Sequence, residues 1–163
     1  TGPAEFSRGA QFENGVEVLI QNSILETHEG EGIAVKCGDE ETSLTLLHNL
    51  LFGGDQVLLA GDYAAEDVGI VTEDAVNNCT LGCCATLEGN ILGNPQFANE
   101  GGTDPESWDF HLTAESPAIG TGLDWSVYLP AGIASLAGGL VDLDGETHPG
   151  ADGLWEMGID SVN

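Results

Sequence analysis

The stretch "DLDGETHPGAD" begins with Asp142, Asp144 and Glu146 at alternating positions, as a loop that wraps Ca²⁺ with carboxylate oxygens begins. An EF-hand loop needs Gly at its sixth position and Glu at its twelfth, whereas Gly145 stands fourth and no Glu closes the loop. The stretch therefore reads either as a tight turn or as a Ca²⁺ site of another kind, and Ca²⁺ is the one cofactor it implies. A second group is Cys37, Cys79, Cys83 and Cys84. Their spacing around "CTLGCC" is not that of a zinc site. Either they pair as disulfides in an oxidising, extracellular compartment, or they are buried free thiols. Two pairings avoid the strained vicinal Cys83–Cys84 bond, and the sequence does not choose between them. "NCT" makes Asn78 a glycosylation acceptor for a secreted chain.

Charge narrows the chemistry further. Two cations, Arg8 and Lys36, face 28 carboxylates for a net charge of −26. Phosphate neutralisation, the basis of nucleic-acid binding, needs Lys and Arg in number, so that class is excluded. Anionic lipid and anionic polysaccharide are disfavoured for the same reason. Self-repulsion on this scale calls for screening by salt or by divalent cations. Polysaccharide lyases need a basic residue as base and cations against a uronate, for which only Arg8 and Lys36 are at hand. Glycoside hydrolases need two carboxylates about 5–9.5 Å apart, and with 28 carboxylates such pairs arise by chance. His28, His48, His111 and His148 share no ligand spacing.

The elements that must carry these residues are short. The chain has 163 residues and is 41% hydrophobic, enough for one domain with a sizeable core and against disorder. It has no apolar run long enough for a membrane span. It lacks an initiating Met and a signal-peptide pattern, as a mature or excised piece would. "GVEVLIQNSIL" (15–25) and "SLTLLHNLLF" (43–52) each read as strand, a turn at Asn, then strand. "GIAVKC" (32–37), "DQVLLAG" (55–61) and "VGIVT" (68–72) are further short strands, and no helix longer than two turns is expected. Asn22-Ser-Ile-Leu, Asn49-Leu-Leu-Phe and Asn90-Ile-Leu-Gly look like copies of one unit, at intervals of 27 and 41 residues. The longer interval holds the cysteine cluster. Ile33 and Val35 recur as Val57 and Leu59 after 24 residues. A mid-twenties period with two or three strands per repeat is the mark of a β-solenoid, whose turns bury their apolar sides only by stacking. Stacked Asn amides at a repeated bend would form a hydrogen-bonded ladder. The alternative is a β-sandwich with ordinary Asn turns.

The C-terminal half carries a resemblance. Asn94-Pro95-Gln96-Phe97, Asp109-Phe110-His111-Leu112, Ser116-Pro117-Ala118-Ile119-Gly120 and Asp142-Leu143-Asp144-Gly145 are similar in type and order to the end of right-handed parallel β-helix proteins of the pectate-lyase-like superfamily. They resemble most the extracellular group called choice-of-anchor Q domain proteins. The chain departs from that pattern at Met157-Gly158-Ile159-Asp160 and carries the insert "WSVYLPAGIASLAGG". The resemblance implies an all-β fold: a right-handed parallel β-helix over 1–93, with a Cys-containing insert at 77–85. An irregular capping region over 94–163 of the same domain follows. Phe97, Trp108, Phe110, Leu112 and Ile119 would plug the exposed end of the core, which otherwise templates aggregation. The function this implies is a non-catalytic, secreted or cell-surface structural or adhesive solenoid, with polysaccharide among the contacts it implies. Its open end would be met by upstream coils or by head-to-tail self-association into filaments. The alternative is the C-terminal part of a polysaccharide lyase or glycoside hydrolase.

Overall fold

A computed structural model describes residues 8–12, 15–27, 31–36, 42–53, 56–61, 68–70, 76–78, 84–100, 104–124, 140–141, 145, 147–149 and 153–158. The described residues are mostly strand with little helix. In chain order the strands are β1 (Arg8–Phe12), β2 (Glu17–Gln21), β3 (Ile24–Thr27), β4 (Glu31–Lys36), β5 (Ser43–Leu47), β6 (Leu50–Gly53) and β7 (Gln56–Gly61). They continue as β8 (Val68–Ile70), β9 (Cys84–Glu88), β10 (Ile91–Leu92), β11 (Phe97–Asn99), β12 (Asp109–Leu112), β13 (Leu140–Val141) and β14 (Thr147–His148). A 3₁₀ turn spans Pro105–Ser107, and 76–78 form a helical turn.

The sheets are small and partly parallel. One has the order β2-β5-β9 and another β10-β6-β3, both parallel throughout. A third stacks β1, β4 and β7 in parallel and adds β8 antiparallel. Two antiparallel pairs, β11-β12 and β13-β14, complete the set. The same strand–bend–strand unit thus supplies neighbouring strands to two sheets at once: β2-β3, β5-β6 and β9-β10.

Burial settles the face that the sequence left open over 43–52. In β5, Leu44 and Leu46 are wholly buried, while Ser43, Thr45 and Leu47 are half-buried. Register carries this alternation up and down the sheet, pairing Ile20 with Leu46 and Leu46 with Leu87. Leu19 falls on the other face, opposite Thr45, and is 58% exposed. Period-two strands place every second residue outside, whatever its hydropathy.

The repeat differs from the sequence expectation by one residue. Ile24 pairs with Leu50, and Leu50 with Ile91, so Ser23 rather than Asn22 stacks on Asn49. The first interval is 26 residues, as in the Ser23 N–H bond to Asn49 Oδ1 at 3.1 Å; the second stays at 41. Likewise Ile33 pairs with Leu58 and Val35 with Ala60, not with Val57 and Leu59. The cause at the first bend is backbone conformation. Each bend opens on a left-handed residue, Asn22 (φ 47°), His48 (φ 51°) or Gly89 (φ 66°), and the ladder residue comes next. Asn tolerates both positions, so residue type alone misaligned the copies.

The ladder itself is buried. Asn90 Oδ1 accepts from Asn49 N (3.2 Å) and Nδ2 (3.0 Å). Asn90 Nδ2 donates to Leu46 O and to Asn77 Oδ1, each at 3.0 Å. Asn49 Nδ2 also reaches Ile20 O at 3.0 Å. Asn77, in the helical turn, closes the ladder's end by donating to Asn90 O (2.8 Å) and accepting from Asn90 N (2.9 Å). Full satisfaction is what allows two amides to lie in the core.

Candidate functional site

The segment after β12 runs along the flank of the stacked bends. Pro117 sits over Gly93, where a Cβ would lie 3.4 Å from its Cγ. Thr121 O meets His48 Nδ1 at 2.9 Å. Leu123 is held by Asn22 at both ends of its peptide, Nδ2 to Leu123 O and Leu123 N to Oδ1, both 2.7 Å. From Pro117 to Leu123 the segment therefore crosses three successive bend units, last to first. A second pass lies against it: Met157 N donates to Ala118 O (3.0 Å), Gly122 N to Trp155 O (2.7 Å) and Gly158 N to Asn22 O (2.8 Å). Gly122 is required there, because a Cβ would approach Glu156 O to 2.5 Å. Leu50, Leu112, Ala118 and Met157 form the buried seam between strap and sheet, with Ile24, Ile91, Phe97 and Ile119 packed around it.

This geometry corrects the expected plug. Leu112 is buried and Ile119 half-buried in the seam, so these two cover apolar surface. Trp108 and Phe110 lie at the surface rather than in the seam, 37% and 55% exposed. The physical reason is the β11-β12 hairpin, which pairs Phe97 with Leu112 and Asn99 with Asp109. Within β12, Phe110 and Leu112 are two residues apart and line the same cavity, but the seam with Leu50, Ala118 and Met157 covers only Leu112. Phe110 instead stacks edge-to-face on Phe97 (centroids 5.2 Å apart, planes at 89°) and on Trp108 (5.9 Å, 85°).

A cavity of about 430 Å³ opens between this hairpin, the first bend with β3, and Met157-Gly158 of the second pass. Phe97, Phe110, Ile24, Leu112 and Met157 give it apolar walls, and Glu26 adds a carboxylate. Sequence reasoning missed this site, because its walls come from four segments far apart in the chain. The available signal was the aromatic spacing in "WDFHL", which the family resemblance assigns to the cap over the core's end.

On the exposed face of the hairpin, His111 Nδ1 contacts Asp109 Oδ1, and His111 N donates to the same oxygen at 3.1 Å. The side-chain hydrogen bond from His111, followed by its backbone N–H, holds the Asp109 carboxyl below the usual carboxylate value.

The other sequence-derived candidates fall as follows. Asp142, Asp144 and Glu146 lie outside the described residues; between them, Gly145 is exposed with φ 88°. Cys37, Cys79 and Cys83 also lie outside, whereas Cys84, at the start of β9, is disulfide-bonded. Asn78 is exposed at the end of the helical turn. Arg8 pairs across from Glu31, and Lys36 sits at the far end of β4 opposite Gly61. The backbone positions of the two residues are thus offset by about 16 Å along the strands, five residues. No helix among the described residues is long and apolar enough to cross a membrane. Comparison with protein-family models, curated proteins and solved structures gave no match.

Proposed function

We propose that the chain is a right-handed parallel β-helix of the pectate-lyase-like, choice-of-anchor Q type, serving as a non-catalytic structural or adhesive element outside the cell. The observation that carries this reading is the threefold recurrence of one strand–bend–strand unit in register, with Ile24, Leu50 and Ile91 in one column. An amide ladder runs through its bends. A unit of this kind buries its apolar face only against another like it, which makes stacking the source of its stability. The motif order of the C-terminal half supports the family assignment, and the sequon and cysteines support an extracellular setting. Lateral docking of 116–124 stiffens a short stack along its length, and among the described residues β2 and β3 stand last in their sheets, at the end where another coil would pair.

Such pairing is end to end and heterologous, so it propagates. Light scattering over a hundredfold concentration range, with negative-stain imaging, tests it. Growing, unbranched particles one solenoid wide are expected at moderate salt. A monomer independent of concentration and salt would overturn the assembly reading.

A further inference from the structure

The cavity beside the hairpin has a wall chemistry that the structural role does not use. Phe97 and Phe110 both line the space and stand edge-to-face, their planes at 89°. Phe110 is 55% exposed, which leaves the mouth open to solvent. Ile24, Leu112 and Met157 add apolar and polarisable surface, and Glu26 supplies formal negative charge. No described residue of the wall is cationic. The surroundings reinforce this sign, since the whole chain carries −26.

Three classes of occupant can be weighed. An anion meets repulsion from the wall and from the molecule. A hard inorganic cation must shed water, and among the described residues no three His, Cys, Asp or Glu side chains cluster to replace it. An alkylated ammonium group is weakly hydrated, presents methyl groups to apolar walls, and is attracted by the negative faces of aromatic rings. The molecule's field concentrates such cations at its surface. At about 430 Å³ the space suits a small organic ligand. The geometry points to this cavity as a binding site for a quaternary or alkylated ammonium group, with Phe97 and Phe110 as its aromatic walls and Glu26 as its counter-charge. This goes beyond the structural reading and does not depend on it, because every wall residue named belongs to the described fold.

The test is titration of the full chain with choline chloride, followed by calorimetry and by the aromatic proton shifts of Phe97 and Phe110. The neutral isostere 3,3-dimethyl-1-butanol and NaCl at matched ionic strength serve as comparisons. Saturable choline binding, at least about tenfold tighter than the isostere, is expected. Phe110→Ala should weaken it about tenfold or more while circular dichroism stays unchanged, since that ring is largely outside the core. Glu26→Gln should weaken it severalfold. Equal binding of the isostere would overturn the proposal by showing an apolar pocket indifferent to charge. So would choline binding that is non-saturable or unaffected by Phe110→Ala, which would be a diffuse counterion atmosphere. Phosphatidylcholine vesicles distinguish the sources of the group: Phe110-dependent co-sedimentation assigns a lipid headgroup, and binding of free choline alone assigns a soluble ligand.

Discussion

Removing the Asn90 amide is the sharpest perturbation of the stacked bends. Its side chain is 1% exposed and makes four hydrogen bonds, two accepted from Asn49 and two donated to Leu46 O and Asn77 Oδ1. At about 1 kcal/mol net for each bond, Asn90→Ala costs about 4 kcal/mol. Whole-domain stabilities run about 5–15 kcal/mol, so that is a large share. Asn90→Asp keeps the volume but turns an oxygen toward Leu46 O and Asn77 Oδ1, and it buries a charge. Its carboxyl should therefore have a folded pKa raised above the unfolded value of about 3.9. Relative to the parent chain, that variant is most stable below the unfolded pKa and loses stability as pH rises through the folded one. Urea unfolding followed by far-UV circular dichroism measures both. Asn99→Ala is the control, because Asn99 is exposed and donates one bond, to Ser107 O at 2.7 Å. An Asn90→Ala cost below about 1 kcal/mol, or equal to that of the control, would refute a stabilising ladder.

Four further outcomes are expected. Gly89→Ala, at φ 66° with its new Cβ 2.7 Å from His48 Nε2, should cost about 2 kcal/mol and displace His48 from Thr121, seen as lost stability and shifted His48 ring signals. Asn22→Ala removes both bonds to Leu123 and should speed amide exchange at Leu123 by about tenfold or more, while exchange in β5 stays unchanged. His111→Ala should let the Asp109 pKa rise toward the ordinary value in an NMR titration. In the parent chain, the stabilisation from that lowered pKa is present above the unfolded value and is lost as pH falls through the folded one. The melting temperature should rise with NaCl because the net charge is −26, and a Ca²⁺ effect no larger than that of Na⁺ at equal ionic strength would discard a site at Asp142, Asp144 and Glu146.

Local chemistry made much of the fold legible. Strand, bend and strand over 15–25 and 43–52 follow from β-branched and Leu-rich runs interrupted by Asn, and the structure places β2-β3 and β5-β6 there. The stacked amides were likewise readable, because few residues besides Asn can donate and accept along a buried bend. What one-dimensional spacing could not supply was register. Asn suits both the left-handed position and the one after it, so only the pairing of Ile24 with Leu50 decided that Ser23, not Asn22, joins the ladder. The displaced Asn22 then took a different task, gripping Leu123 from 101 residues away. Trp108 and Phe110 show the same limit from the other side. Hydropathy assigns such rings to a core, but Phe110 lines the same cavity as buried Leu112 and is still 55% exposed, because the seam that covers Leu112 is brought by segments distant in the chain. The cavity between Phe110 and Glu26 exists only because the first bend, β3, the β11-β12 hairpin and the Met157-Gly158 pass converge, and no local pattern encodes that convergence.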